Sequence, residues 1–149
     1  MKEKTKFENA ASTVFAPQLV GLVTTIDRAD RPNVATFAWI MSTSHDPELI
    51  AVSVSRQRYT YECLTDEFVI NLPTKKLLEQ VWTVGTQSGR NVDKFQVTGL
   101  TPMPADVVKP PRIAEYPTHV ECRIGDRVDT GTIPSLSAKS WQNQAILMR

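Results

Sequence analysis

The sequence predicts a mainly β protein built as a closed or nearly closed antiparallel barrel, and three observations lead to this fold class. Three β-branched runs, QLVGLVTTID, NVATFAWIM and ELIAVSVS, follow one another through short polar connections, as in an antiparallel meander. Those connections leave no room for the crossover helix that parallel strands need. The chain also has neither a GxGxxG motif after a strand nor a GxxxxGKS/T motif, which argues against the common parallel nucleotide-binding folds.

The predicted strands are bounded by residues that favour turns. Asp30 and Pro32 in RADRP end the first run, and STSHDP connects the second run to the third. EFVINLP is a fourth strand that stops at Pro73, and THVECRI is the last predicted core strand. Between these two, TPMPADVVKPPRIAEYP carries five prolines and is predicted to be extended or irregular.

Two segments have a helical pattern. RYTYECLTD predicts a short helix, because Tyr61 and Leu64 are three residues apart. TKKLLEQVWTVG predicts a longer helix that is capped by Thr74 and ended by Gly85. The apolar face of this second helix is predicted to contain Leu77, Leu78, Val81 and Trp82. The following segment, TQSGRNVDKF, is predicted to be a polar loop.

Chain length and composition indicate one globular domain over residues 1–149. Hydrophobic residues make up 41% and charged residues 22% of the chain, which argues against general disorder. The net charge of +1 gives no overall attraction to nucleic acid or to an anionic membrane, so any anion site must be local. No apolar run is long enough to span a bilayer, and no secretory signal follows the N-terminal lysines. We therefore expect a cytoplasmic protein without nucleic-acid or membrane partners.

The sequence predicts neither a metal site nor a nucleophilic catalytic residue. Cys63 and Cys122 lie far apart and form no CxxC pair. The pairs His45–Asp46 and His119–Glu121 supply too few ligands at a known spacing. No GxSxG elbow is present.

The stretch SVSRQRYTYE places two arginines and several hydroxyl side chains where a strand ends and a short helix begins. Such a junction can bind an anion through Arg58, while Arg56 is expected to face solvent. A second hydroxyl cluster, STS at residues 42–44, lies one strand earlier. Antiparallel neighbours place the end of one strand beside the start of the next, so the sequence alone does not prove that the two clusters meet, although a curled barrel could bring them together. The alternative is a solvated turn, and the residues alone favour that alternative.

The stretch NVATFAWIMSTSHDPELIAVSVSRQRYTYECLTDEFVINLP resembles the flavin reductase-like, FMN-binding split-barrel family, which includes flavoredoxins and archaeal ferric reductases. SGRNVDKF, GLTPMPA and PPRIAEYPTHVEC follow in the family's order, so the resemblance covers about residues 16–126. It implies a six-stranded antiparallel Greek-key split β-barrel with two or three short helices. It also implies a homodimer that binds FMN non-covalently near the subunit interface.

The resemblance implies two groups of cofactor-binding residues and no catalytic side chain. The flavin ring would lie along the strand ATFAW and near the motif DKF, in contact with Thr36, Ala38, Trp39, Lys94 and Phe95. The ribityl chain and the phosphate would be bound by Ser42, Thr43, Ser44, Ser55, Arg58 and Thr60. With the resemblance added, the anion site becomes the preferred interpretation of the arginine-rich junction.

The C-terminal segment departs from the family pattern. Members often have Gly-Asp-His after the strand that ends in EC, whereas this chain reads GDRV, with Arg127 in place of the histidine. The familiar closing strand is not recognisable in residues 127–149, which therefore either form a divergent closing element or replace a lost one. If the histidine positions the nicotinamide, its loss puts reductase activity in more doubt than flavin binding.

The resemblance leads to two functional hypotheses. The first is an NAD(P)H-dependent flavin reductase, in which hydride passes to FMN and electrons pass on to free flavin, ferric iron or a protein acceptor. The second is a non-catalytic, flavoredoxin-like electron carrier that holds FMN. A third hypothesis, an oligonucleotide-binding barrel, has little support because the net charge is +1 and aromatic residues make up only 7% of the chain.

Overall fold

A computed structural model describes residues 17–134 and 140–148, with side chains described for residues 17–128. Its strands are β1 Gly21–Ile26, β2 Pro32–Phe37, β3 Ile40–His45, β4 Glu48–Ser55, β5 Glu67–Leu72, β6 Pro102–Met103, β7 Arg112–Ile113, β8 Thr118–Pro134 and β9 Ser140–Met148. Its α-helices are α1 Tyr59–Cys63, α2 Leu78–Thr86 and α3 Lys94–Thr98, and a 3-10 turn, Lys75–Leu77, precedes α2. The longest of these helices has nine residues, so none of the described helices could span a bilayer.

Seven strands form one antiparallel sheet in the order β2-β1-β5-β8-β9-β4-β3. The long strand β8 joins the two halves of this sheet, because residues 118–123 pair with β5 and later residues pair with β9. Val23, Phe37, Val54, Phe68 and Cys122, from five different strands, pack into one buried cluster, so the sheet curls around a common core. The predicted antiparallel split β-barrel with a few short helices is confirmed.

The strand count differs from the predicted six because the run NVATFAWIM contains two strands. Pairing with β1 ends at Phe37, and a new strand, β3, starts at Ile40 and pairs with β4. The segment STSHDP is therefore not a simple connection, since its first four residues belong to β3. The segment 127–149 supplies the end of β8 and the strand β9, which pairs with both β8 and β4.

The helices differ from the predicted ones in position and in packing. Thr74 makes no side-chain capping bond, and it precedes a 3-10 turn rather than an α-helix. Of the predicted apolar face, Leu77 and Val81 pack on a second core cluster, whereas Leu78 and Trp82 are 67% and 72% exposed. The helix touches the barrel along one narrow edge, so only part of the predicted face is covered.

Helix α3 lies at the end of the segment that was predicted to be a polar loop. The Asp93 carboxylate accepts hydrogen bonds from the backbone N–H groups of Phe95 and Gln96, at 3.0 and 3.1 Å. Gly99 ends the helix in the left-handed conformation, with φ of 68°. These two caps stabilise a five-residue helix that has no apolar periodicity long enough to reveal it.

Candidate functional site

A cleft of about 460 Å³ opens where the end of β2, the end of β4 and the start of α1 meet α2 and the loop that follows it. Its walls are residues 35–39 of the β2–β3 segment, residues 53–55 and 57–60 of the β4–α1 junction, residues 84–90 of α2 and the loop, and Lys94. Clefts of this size hold ligands as large as nucleotides and flavins. The cleft therefore has the volume for a bound cofactor.

The side chains that line the cleft give it a positive charge. Arg58, Arg90 and Lys94 lie on its walls, and none of the described residues that line it is an aspartate or a glutamate. Of these cations, Arg90 forms an ion pair with Glu62 and lies 5.5 Å from the centre of the Tyr59 ring. The other two cations make this cleft suitable for an anionic ligand.

Lys94 is a buried cation on the wall of the cleft. Its side chain is 7% exposed, and its Nζ donates a hydrogen bond of 2.9 Å to the carbonyl oxygen of Val84. That carbonyl lies in the last turn of α2, where backbone oxygens lack partners within the helix. Burial and, secondarily, the positive charge of Arg58 lower the pKa of Lys94 to about 8.

The β4–α1 junction carries the arginine that was predicted to bind an anion. Arg58 is exposed and lines the cleft, whereas Arg56 is half-buried and does not line it. The prediction that Arg56 faces solvent is therefore wrong, although the choice of Arg58 as the arginine of the cleft agrees with its position. Helix α1 has only five residues, which is too short for a substantial dipole. Any affinity for anions at this junction would therefore come from individual side-chain and backbone donors rather than from a helix dipole.

Several hydroxyl groups near the cleft already have partners within the chain. The Thr36 hydroxyl donates to the carbonyl oxygen of Val81 at 2.7 Å, which holds α2 against β2. The buried Thr60 hydroxyl accepts a hydrogen bond from the Asn33 amide at 3.2 Å. The Ser55 hydroxyl accepts a longer bond, 3.4 Å, from the backbone N–H of Gln57. The Thr36 hydroxyl proton is therefore used within the chain, whereas Thr60 and Ser55 only accept these bonds and keep an O–H donor for a ligand.

The loop after α2 approaches the opposite wall closely at one glycine. A Cβ atom at Gly89 would lie 2.3 Å from the Asn33 Oδ1 atom and 2.8 Å from the Tyr59 Cδ1 atom. Only glycine fits there without a shift of buried neighbours. The loop is held in addition by Arg90, whose Nη1 donates to the carbonyl oxygen of Gln57 at 3.2 Å.

The structure brings together seven of the eleven predicted cofactor-binding residues. Lining the cleft are Thr36, Ala38, Trp39, Ser55, Arg58, Thr60 and Lys94. Phe95 does not line it, because α3 turns this side chain into the second core cluster, where it is 7% exposed. Gln57, Tyr59 and the loop residues 87–90 also line the cleft and were not among the predicted cofactor-binding residues, although SGR in this loop was part of the resemblance.

The hydroxyl cluster on β3 lies away from the cleft of the same chain. Ser42 pairs with Ile50 and Ser44 pairs with Leu49, at the end of β4 opposite to Ser55. Ser42 and Ser44 line a separate depression, and the Thr43 hydroxyl donates to the carbonyl oxygen of Leu49 at 3.3 Å. The antiparallel pairing thus separates the two polar clusters within one chain, as the strand geometry requires.

Arg127, which stands where the family often has histidine, also lies outside the cleft. Its guanidinium donates to the carbonyl oxygens of Leu64 and Thr65, at 2.5 and 2.6 Å, and thereby fixes the end of the α1 segment against β8. It lines a different depression, beside the turn between β1 and β2. Within one chain, the substitution of the histidine leaves the positively charged cleft unchanged.

Comparison with known proteins connects this fold to a family. Residues 14–136 match the family described as "Flavin reductase like domain". An uncharacterized protein of Archaeoglobus fulgidus is 36% identical over 71% of this chain and 61% of its own length. An uncharacterized protein of Pyrococcus abyssi is 34% identical over 68% of this chain and 59% of its own length. The chain thus spans about 60% of the length of these curated relatives.

Solved structures show the same fold. The flavoredoxin of Desulfovibrio vulgaris (Miyazaki F) superimposes with a TM-score of 0.80 and 30% identity, over 98% of this chain and 74% of that protein. An FMN-binding protein from Thermus thermophilus, solved with bound 1-cyclohex-2-enone, superimposes with a TM-score of 0.77. Its identity is 18%, over all of this chain and 76% of that protein, so this likeness concerns the fold alone. From the match over most of its length, this chain belongs to the flavin reductase-like domain family.

Proposed function

We propose that the cleft binds FMN and that the protein is an FMN-dependent oxidoreductase. The observation that carries this proposal is the positive charge of the cleft, whose described lining residues include Arg58, Arg90 and Lys94 but neither aspartate nor glutamate. FMN differs from riboflavin by a phosphate group, which is the anion such a cleft favours. Membership in a family of flavin proteins supports the same cofactor.

The residues present fit this cofactor chemically. Arg58 and the Ser55 hydroxyl lie together at the β4–α1 junction and would hold the phosphate. Trp39 and the backbone of residues 36–38 would line the ring system, and Lys94 offers a buried ammonium between the two regions. When bound, FMN supplies the hydride and electron chemistry, so the chain needs no general base of its own. The residues of the chain bind the cofactor, orient it and exclude water from it.

We propose further that the protein is a flavin reductase that takes hydride from NADH or NADPH. The electrons would pass to free flavin, ferric iron or a protein acceptor. Placement of Arg127 outside the cleft supports this hypothesis, because the departure from the family pattern does not alter the cleft wall. The second candidate, a flavoredoxin-like electron carrier, is supported by the similarity to the Desulfovibrio vulgaris flavoredoxin.

A steady-state assay separates these two candidates. The FMN-loaded protein should oxidise NADH or NADPH continuously when free FMN or a ferric chelate is supplied as acceptor. Protein that retains FMN but oxidises neither nucleotide with any acceptor is a carrier. The matched control is the same preparation after FMN has been removed, which should lose the activity and regain it when FMN is added back.

Binding of FMN should quench the fluorescence of Trp39. This side chain is 37% exposed and lies on the cleft wall, so a flavin in the cleft would be within contact distance of the indole. Trp82 lies on the outer face of α2 and Trp141 lies outside the residues whose side chains are described, so wild-type emission combines three residues. The Trp39→Phe variant should therefore show clearly less quenching on titration with FMN. Unchanged quenching in this variant would mean that Trp39 only packs in the protein.

We also propose that the protein is a cytoplasmic homodimer. Leu78 and Trp82, one helical turn apart on α2, form an exposed apolar pair that a second subunit could cover. Light scattering at micromolar concentration with FMN present should give twice the chain mass of 16.7 kDa. A monomer mass under these conditions would contradict the proposal. The predicted cofactor-binding roles of Ser42, Thr43 and Ser44 would then require that the dimer places this cluster of one subunit at the cleft of the other.

A further inference from the structure

Lys94 is a buried lysine, and no carboxylate among the residues whose side chains are described forms an ion pair with it. Its side chain is 7% exposed, and its hydrogen bond within the described chain goes to a neutral group, the carbonyl oxygen of Val84 at 2.9 Å. A buried ammonium is normally paired with an opposite charge, because its transfer out of water is costly. The position of Lys94 on the cleft wall suggests that the missing partner is a ligand.

The acidic side chains on neighbouring elements have other partners. Asp93, which precedes Lys94, uses its carboxylate to cap α3. Asp27, in the turn between β1 and β2, forms an ion pair with Arg31 at 2.7 Å and accepts a bond from the Tyr59 hydroxyl at 3.1 Å. Neither carboxylate is directed at the Lys94 ammonium.

The remaining charged groups that face Lys94 are cations or are already paired. Arg58, on the β4–α1 junction, lines the same cleft and disfavours a second positive charge beside it. Arg90, on the loop, is paired with Glu62 of α1. The positive charge of Arg58 therefore opposes protonation of Lys94, and an anion that enters the cleft would favour it.

We propose that Lys94 acts as a proton-linked anchor of the cleft: a ligand that carries a phosphate dianion draws a proton onto the Lys94 amine as it binds. The step forms one N–H bond at Nζ, and the proton comes from the buffer. This inference rests on the proposed function, since FMN is the phosphate ligand. Its consequence is that FMN should bind more weakly as the pH rises, because the free protein then holds Lys94 neutral.

The direction and size of this pH effect on FMN affinity follow from the pKa of Lys94 in the free protein. The pKa of Lys94 is about 8 before binding and is raised by the bound anion, so the loss of affinity begins near pH 8 and continues as the pH rises. The phosphate stays a dianion over this range, because its second pKa is about 6. Between pH 7 and pH 9, the affinity of the wild-type protein for FMN should fall about tenfold.

The test is isothermal titration calorimetry of the FMN-free protein with FMN, in two buffers of different ionisation enthalpy at pH 7, 8 and 9. The wild-type protein should take up little proton at pH 7, about half a proton at pH 8 and most of one at pH 9. Lys94→Met should take up none, and its affinity should vary less than about twofold over the range. Riboflavin, which lacks the phosphate, should bind to the wild-type protein without proton uptake.

The outcomes separate this inference from the proposed function. Absence of any FMN binding by the wild-type protein would overturn the proposed function and the inference together. FMN binding with the same heat in both buffers at pH 8 and pH 9 would overturn the inference alone. Equal proton uptake by Lys94→Met and by the wild-type protein would also overturn it. The proton count on the wild-type protein decides the matter even if the variant does not fold.

Discussion

Replacement of Arg58 by alanine should weaken FMN binding about ten- to a hundredfold and leave riboflavin binding unchanged within about twofold. A charge-assisted hydrogen bond contributes roughly 1.5 to 3 kcal/mol, and about 1.4 kcal/mol corresponds to a tenfold change in affinity. Arg58 is exposed on the wall of the cleft, so its removal should not destabilise the core. Fluorescence titration with both flavins measures the two affinities side by side.

The matched control for this variant is Lys76→Ala. Lys76 is an exposed cation on the turn before α2 and does not line the cleft, so its removal changes the net charge equally without touching the site. It should change the affinity for FMN less than about twofold. Equal losses of FMN and riboflavin binding in Arg58→Ala would mean that the arginine holds the junction rather than a phosphate. A large FMN-specific loss in Arg56→Ala would mean that the other arginine binds the phosphate.

Replacement of Asn71 by leucine should lower the free energy of unfolding by about 3 to 5 kcal/mol. Asn71 is fully buried on β5, and its Oδ1 atom accepts hydrogen bonds from the Ile113 N–H at 3.0 Å and from the His119 ring at 2.9 Å. Its Nδ2 donates to the carbonyl oxygen of Leu22 at 3.0 Å. Leucine has a similar volume but would leave these buried groups without partners, and each unmade bond costs about 1 to 3 kcal/mol.

Thermal unfolding of Asn71→Leu should show a melting temperature lower by about 10 °C, with the cleft lost at the same transition. The control is Asn91→Leu, the same substitution at an exposed position of the loop, which should change stability by less than about 0.5 kcal/mol. Comparable stability of the two variants would mean that the hydrogen bonds of Asn71 to Ile113, His119 and Leu22 contribute little to stability.

The strands of the barrel could be predicted from the sequence because their side chains alternate or form continuous buried runs. The runs LVGLVTTI and EFVINL are nearly all apolar or β-branched, and they form the neighbouring interior strands β1 and β5. The division of NVATFAWIM into β2 and β3 was not predictable, because apolar residues continue through the bend at residues 38 and 39. Strand β9 escaped detection because SWQNQAILM alternates only weakly, and its pairing with β4 is a long-range contact.

The cleft could be predicted in part, and the part that was missed depends on tertiary structure. The motif around Arg58 marks a strand end with its own local chemistry, so the residue could be selected from the sequence. The burial of Lys94 could not be predicted from the sequence. Nothing in the motif VDKF distinguishes a lysine that turns toward Val84 from one that faces water. The position of Phe95 in the core could not be predicted for the same reason. Lys94 faces the cleft, and the next residue of the helix, Phe95, faces the second core cluster.

An absorption spectrum tests the claim that this chain binds FMN in the positively charged cleft. Purified protein is mixed with an excess of FMN, passed through a desalting column and scanned through the visible range. We predict flavin absorption bands in the protein fraction at about one FMN per chain, and clearly less FMN in the fraction of Arg58→Ala treated in the same way. A protein fraction without flavin bands after this treatment would contradict the claim.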